Sequence, residues 1–207
     1  MRSHRVPSLA GYLTPTESAW SGVKEEQVEL IGTPLVMQPT EYIRKKWEGK
    51  AYGETKGLKV ASVHDGHTLA VRMRWPGVSG AGFDFPDAIA LALPVRGKPA
   101  LALMGAPDAP IHILRWQANK DGVRSILATG IGQSTAGPEL KATAQAQADG
   151  DTWSVVITRP LGQGKDVAPL AAGKSTGIGF AVWRGSNDER AGIKAFSIDW
   201  AELALEA

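Results

Sequence analysis

The chain has 207 residues and no cysteine among them. That absence excludes disulfides, thiolate metal sites and cysteine nucleophiles. An excess of one charge is also missing. Twenty-three basic side chains stand against 21 acidic ones, for a net charge of +2. No basic block stands out, so nothing points to nucleic acid as a partner. No run approaches the roughly 20 apolar residues that a membrane-spanning helix needs, and no membrane span is expected. The first residues, from Met1 to Tyr12, carry charge but no apolar h-region, so they do not read as a secretory signal.

The patterns of common enzyme sites are scarce as well. Four histidines do not supply the three or four converging ligands of a zinc site. Glu139 and Asp166 form no paired-carboxylate arrangement, and no motif supports Ser-His-Asp catalysis. Gly130-Ile-Gly132 is too short for a nucleotide loop.

What is present is enough for a well-filled β protein. With 43% hydrophobic and 21% charged residues, the chain can bury a core without a metal or a disulfide. Twenty-four glycines and 13 prolines cut it into short pieces, several of them alternating or β-branched. Strands are predicted over Gln27–Ile31, Leu58–His64, Thr68–Trp75, Asp87–Pro94, Ala100–Met104, Ile111–Ala118, Leu140–Ala148, Thr152–Arg159, Thr176–Trp183 and Ile193–Trp200. His64-Asp-Gly-His67 reads as a tight hairpin, because Asp-Gly suits a turn of positive φ, and Asp149-Gly150-Asp151 reads the same way. Thr40–Trp47 fits two helical turns. Pro138–Gln147 is ambiguous because its alanines favour helix. The expected fold is mostly β, a single-domain antiparallel β-sandwich over residues 1–207 with a few short helices.

Two stretches carry the functional signal. In Leu101-Ala-Leu-Met-Gly-Ala-Pro-Asp-Ala-Pro-Ile-His-Ile-Leu-Arg-Trp-Gln-Ala-Asn119, one of only four methionines closes an apolar run beside a glycine. Gly105 removes bulk next to Met104, and Pro107 and Pro110 stiffen the turn. A thioether held this way can ligate haem iron and favours its ferrous state. On residues alone, a flexible core filler is the commoner role of a methionine. The second stretch runs Phe180-Ala-Val-Trp-Arg-Gly-Ser-Asn-Asp-Glu-Arg-Ala-Gly-Ile-Lys-Ala-Phe-Ser197. Its Lys194 has the apolar neighbours Ile193, Ala195 and Phe196, although a lysine on a strand edge is more often simply solvated.

Together the two stretches resemble the haem b (gamma) subunit of ethylbenzene dehydrogenase and its relatives. These include the steroid C25 and dimethyl sulfide dehydrogenases of the type II dimethyl sulfoxide reductase group of molybdoenzymes. The family pattern has Met-Gly after an apolar strand, then a Pro-containing turn and Val-Asn-x-Trp-x-Trp-Lys-Ala. Trp116, Ala118 and Asn119 fit, whereas Leu114 and Gln117 replace an aromatic and a basic residue. The family's second segment, Phe-Ala-Val-Trp-x-Gly-Ser/Gly-Asn-x-Glu-Arg-x-Gly-x-Lys-x-x-Ser, fits Phe180–Ser197 closely. Arg5-Val-Pro, Thr33-Pro-Leu-Val-Met37, the hairpin at His64 and Leu69–Trp75 extend the likeness over most of the chain.

The resemblance implies one haem b held between Met104 and Lys194. With no cysteine for a Cys-x-x-Cys-His attachment, the haem is non-covalent. Iron binds only a neutral amine, so burial and the metal's charge must depress the Lys194 pKa. Lys174 is the alternative lysine ligand. Arg190, or Arg184, is a candidate partner for a haem propionate. His64, His67 and His112 are weighed as ligands, but surface or hydrogen-bonding roles suit them better, and His112 reaches the site only if the strand register allows. The implied partners are a molybdopterin catalytic subunit and an iron–sulfur subunit, with a soluble acceptor such as cytochrome c. The chain itself is then a non-catalytic electron carrier, in a complex that hydroxylates a hydrocarbon or steroid side chain anaerobically. The implied location is periplasmic, reached by co-export on a twin-arginine signal of the catalytic subunit. A different reading comes from Trp20, Trp47, Trp75, Trp116, Trp153, Trp183 and Trp200. A sandwich with exposed tryptophans would be a carbohydrate-binding module.

Overall fold

The computed structural model describes residues 1–80 and 82–207. Sixteen strands build it. β1 (Arg2–Arg5), β2 (Glu26–Glu29), β3 (Ile31–Gly32), β4 (Gly57–His64) and β5 (Thr68–Pro76) come first. β6 (Ala88–Pro94), β7 (Ile111–Gln117), β8 (Arg124–Gly130), β9 (Gln133–Ala136), β10 (Thr143–Asp149) and β11 (Thr152–Pro160) follow. β12 (Gly162–Gly164) and β13 (Val167–Leu170) form a small separate hairpin, and β14 (Ser175–Trp183), β15 (Ala195–Phe196) and β16 (Ala201–Leu205) end the chain. The single α-helix among the described residues, α1 (Glu41–Trp47), starts where the Thr40 hydroxyl accepts from the Ile43 amide.

The expected β-sandwich is present, with one layer ordered β10-β11-β5-β4 and the other β14-β6-β7-β8-β9. β1 and β16 join the layers. β1 runs parallel to both β4 and β16, while every other pairing is antiparallel. The sheet is therefore mixed at this seam.

Alternation explains which faces meet. On β5, Leu69, Val71, Met73 and Trp75 point into the core between the layers. On β6, Ile89, Leu91 and Leu93 do the same. Val155, Ile157, Leu114 and Trp116 complete the packing, and this buried apolar area is what holds the layers together. The outer face of the β5 layer is covered by the N-terminal segment. Trp20 is fully buried there, with the Arg72 guanidinium 4.9 Å above its ring.

Several elements differ from expectation. Ala100–Met104 is not a strand. Leu101–Leu103 is a 3₁₀ turn ended by Met104 in the left-handed region at φ 58°, ψ 35°. Ile193–Trp200 contributes only the two residues of β15, because its backbone turns to serve the site described below. The ambiguous Pro138–Gln147 forms no helix, and the strand expected over Leu140–Ala148 is present as β10. From Thr143 onward it is an edge strand paired with β11. In the His64–His67 hairpin only Gly66 has positive φ, while Asp65 accepts the His67 and Thr68 amides through Oδ1.

Candidate functional site

The site lies on the outer face of the second layer and not between the layers. β6 shows why. Its core-facing residues are large, but those facing outward are Ala88, Ala90 and Ala92. Cross-strand partners share a face, so the outer surface can be read in rows. One row runs Phe196, Ala181, Ala90, Arg115, Arg124 across β15, β14, β6, β7 and β8. The next runs Gly179, Ala92, Ile113, Ile126. The middle of the floor carries only small or aliphatic side chains and leaves an apolar cleft of about 390 Å³ above it. That volume is in the range of small-molecule and cofactor sites.

Both predicted ligand residues line this cleft. Met104 enters from the 3₁₀ turn over β6 and β7. The turn is tight: Met104 N–H donates to the Leu101 carbonyl at 2.9 Å, and Gly105 follows with φ 85°. A Cβ on Gly105 would lie 3.0 Å from the carbonyl oxygens of Ala109 and Ala128, so only glycine fits. A methionine in the left-handed region costs roughly 1–2 kcal/mol. Strain at such a position is a mark of functional geometry.

Lys194 enters from the segment between β14 and β15. It is 8% exposed, and its Nζ lies 5.8 Å from the Trp183 ring and 5.9 Å from that of Phe196. Burial pushes its pKa down from 10.5 to about 8, with no carboxylate nearby to oppose the shift. The rest of the Trp183–Ser197 motif is the frame that presents this side chain. Trp183 Nε1 donates to the Ala191 carbonyl at 3.1 Å. Buried Glu189 accepts from the Gly53 amide at 2.7 Å, the Arg184 amide at 3.0 Å and Asn187 Nδ2 at 3.2 Å. Ser197 exchanges hydrogen bonds with the Phe180 backbone. Thr33 clamps the Lys194 carbonyl through both its amide and its hydroxyl.

The other candidates fall elsewhere. Arg190 does not line the cleft. Its guanidinium stacks 4.2 Å over Phe85 and donates to the Asp188 carbonyl. Arg184 packs against Gly77, and Lys174 is exposed in the turn before β14. The register turns His112 to the core face, fully buried, with Nε2 2.9 Å from Ser125 Oγ. Burial, with the charge of Arg159 second, pushes the His112 pKa down to about 4. His64 is buried beside Gly66, and His67 is exposed.

Two polar lining residues were missed in the sequence. Gln38 is 3% exposed, donates through Nε2 to the Gly192 carbonyl at 2.9 Å, and leaves Oε1 without a partner. Arg115 donates through Nη2 to Gln117 Oε1 at 2.8 Å, and its buried Nε has no partner. Burial, then the neighbouring charge of Arg124, lowers the Arg115 pKa. The alternating alanines of β6 were the available sign that something other than side chains belongs on that face.

The chain was compared with known proteins for likeness of sequence and of fold. No protein-family profile matches the chain. It is 35% identical over 157 residues to the chlorate reductase subunit gamma of Ideonella dechloratans, covering 72% of this chain and 65% of that one. A protein of Haloferax mediterranei named as a respiratory nitrate reductase heme subunit is 27% identical, covering 90% and 66%. The dimethylsulfide dehydrogenase subunit gamma of Rhodovulum sulfidophilum is 26% identical, covering 90% and 72%. The chain is homologous to the gamma subunits of oxidoreductase complexes. It spans about two thirds of the length of these relatives. Among solved structures it resembles a family 9 carbohydrate binding module of Caldicellulosiruptor kristjanssonii, with a TM-score of 0.54 at 14% identity, covering 100% of this chain and 96% of that one. That likeness is one of fold alone. None of the seven tryptophans is exposed, and Trp75, Trp116 and Trp153 pack on one another instead.

Proposed function

We propose that this chain is the haem-carrying gamma subunit of a molybdenum oxidoreductase of the type II dimethyl sulfoxide reductase group, and that it relays electrons without transforming substrate. The observation that carries the reading is the pairing of Met104 and Lys194 in one apolar cleft with an alanine floor. The residues fit the group. A thioether and a buried amine with no carboxylate partner are two donors that would hold haem iron, and the floor would give a flat ring apolar contact. Haem bound there supplies one-electron chemistry through its ferric and ferrous states. Met104 offers its sulfur, which favours the ferrous form. Lys194 offers its nitrogen lone pair once its proton is lost, and its burial has already made that loss easier. Ala90, Ala92, Ala181 and Ile113 exclude water from the ring's face. The haem in this reading is b-type, by the resemblance to the ethylbenzene dehydrogenase subunit, and the absence of cysteine supports non-covalent binding.

The same proposal includes a molybdopterin catalytic subunit, an iron–sulfur subunit and a soluble acceptor such as cytochrome c. It places the complex in the periplasm, exported as a folded unit on the catalytic subunit's signal. Deleting that signal and fractionating the cells tests the last point, because this subunit should then stay inside. The likeness of Trp183–Ser197 to the ethylbenzene dehydrogenase subunit supports a hydrocarbon or steroid side chain as substrate. The genes adjacent to this one test that assignment by identifying the catalytic subunit.

Titrating the purified full chain with ferric protoporphyrin IX tests the haem site. Wild type should develop a Soret band and a low-spin, six-coordinate spectrum. Met104→Ala and Lys194→Ala should each lose the low-spin form, and Lys174→Ala should retain it. A colourless wild type, or a low-spin spectrum surviving in both ligand variants, overturns the proposal. Loss only in Lys174→Ala transfers the ligand role to that lysine.

A further inference from the structure

Besides Lys194, the cleft is lined by a second cation, Arg115, and among the described residues no salt bridge neutralises it. Arg115 and Arg124 are direct cross-strand partners on β7 and β8, on the face that forms the floor. Like charges placed opposite each other destabilise a sheet pair. Among the described residues neither forms a salt bridge with an acidic side chain, and the charge of Arg124 opposes that of Arg115.

Arg115 is also incompletely bonded. Its Nη2 reaches Gln117, and its Cζ lies 5.9 Å from the centroid of the Trp183 ring, one row along the floor. Its Nε is buried without an acceptor. An arginine donor left unsatisfied in a cavity wall costs about 1–3 kcal/mol. A carboxylate can cancel that cost, because the guanidinium fork matches its two oxygens.

Position along the floor adds the second part of the argument. Phe196, Ala181, Ala90 and Arg115 occupy successive strands in one row. Strands lie about 4.8 Å apart, so Arg115 stands about 14 Å from Phe196 in backbone terms. The row therefore passes from an aromatic wall, over an apolar floor, to Arg115 in the lining, with Arg124 next to it on β8 outside the lining. A ligand matched to it is flat and apolar over most of its length and carries carboxylates at one edge.

We infer that Arg115, with Arg124 beside it, is the carboxylate-binding end of the cleft and receives the propionates of the bound porphyrin. The inference rests on the haem reading above, and it gives to Arg115 the role that the sequence suggested for Arg190.

The test compares two probes, ferric protoporphyrin IX and its dimethyl ester, titrated into the full chain and followed by Soret absorbance. Wild type should bind the free acid about tenfold or more tightly than the ester. Arg115→Gln should lose most of that preference while binding the ester within twofold of wild type. Arg115→Lys should keep part of it. Arg124→Gln changes an exposed residue with little risk to folding, and should lower the preference by a smaller factor. Arg190→Gln should leave it unchanged. If wild type binds both probes equally well, or Arg115→Gln and Arg124→Gln both keep the full preference, the carboxylate assignment fails while the haem reading stands. If wild type gives a Soret shift with neither probe, the haem reading fails and this inference falls with it.

Discussion

Replacing Lys194 with methionine should stabilise the ligand-free protein, although the lysine is the more specialised residue. At pH 7 the wild-type ammonium is buried against Trp183 and Phe196 with no carboxylate. Its pKa in the folded state is about 8 against an ordinary 10.5, and each pKa unit corresponds to about 1.4 kcal/mol. Burying the charge therefore costs the fold about 3 kcal/mol. The two aromatic rings return part of this, at about 0.5–1 kcal/mol for each cation–π contact. Methionine fills a similar volume without the charge, so Lys194→Met should gain about 2 kcal/mol in urea unfolding at pH 7. The sign with pH follows from linkage. Between pH 8 and 10.5 the unfolded chain still holds the proton that the folded chain has released, so wild-type stability rises with pH. The advantage of the variant should shrink by about 2 kcal/mol at pH 9.5. With haem bound the order should reverse, because the neutral amine gains a metal bond that methionine replaces only in part. A variant less stable than wild type at pH 7 without ligand, or a difference that ignores pH, refutes the reasoning.

Met104→His should lower the midpoint potential of the reconstituted protein, since a thioether raises it. A potential unchanged in a redox titration would remove Met104 from the iron. Ala90→Leu places an isobutyl group on the cleft floor, where Ala90 is 3% exposed. It should abolish the Soret change while circular dichroism stays native and stability moves by no more than about 1–3 kcal/mol, the usual scale of overpacking. His112 has its folded pKa at about 4 against 6.5, from burial first and Arg159 second. Its contribution to stability is complete above pH 6.5 and is lost as pH falls toward 4, at up to about 1.4 kcal/mol per pH unit. His112→Gln should flatten that acid limb in urea unfolding measured across pH 4–7.

Much of the sandwich was legible because its central strands alternate cleanly. β4, β5, β6, β7, β11 and β14 fall within a residue or two of their predicted bounds. The elements that were missed lack that signal. β1 and β16 are short, and what fixes them is pairing between the two ends of the chain, Arg2 with Ala204 and Ser3 with Leu205. β9 is exposed and uniformly small or polar, and in β8 the consecutive Ile126, Leu127 and Ala128 do not alternate with polar residues, so no single apolar face marks either strand. Ala100–Met104 misled for a different reason. Five apolar residues in a row are equally consistent with a strand or a covering turn, and the tertiary requirement at Gly179, on which Leu101 rests, selected the turn. Ala144 and Ala146 favour helix by propensity, yet they alternate with Gln145 and Gln147. The alternation prevailed because the open edge of β11 needed a partner. Met104 and Lys194 could be picked out through the motifs around them. Arg115 and Gln38 could not, because one charged residue in a strand and one glutamine in a loop carry no periodic signal.

The location of the cleft means that the haem proposed above would sit on the chain without displacing any of its core. The interior between the layers is already complete, with Leu69, Val71, Met73, Ile89, Leu91, Leu93 and Leu114 fully buried. The site is added outside it. Three non-strand segments, residues 33–43, 101–104 and 191–194, stand on the outer face of β14, β6, β7 and β8 and supply the walls together with the turn at Ile131 and Gly132. The floor costs the core nothing, because a strand can be large on one face and alanine on the other without changing its backbone. It follows that the sandwich and the site are separable in energy. Loss of ligand should loosen the three wall segments and leave the strands paired, so slow hydrogen exchange should persist in β5, β6 and β11 of the ligand-free chain while protection falls in residues 101–104 and 191–194. The same separation accounts for the likeness to carbohydrate-binding modules at the level of fold. A shared sandwich constrains the inner faces of the strands, and the outer face is free to carry different chemistry.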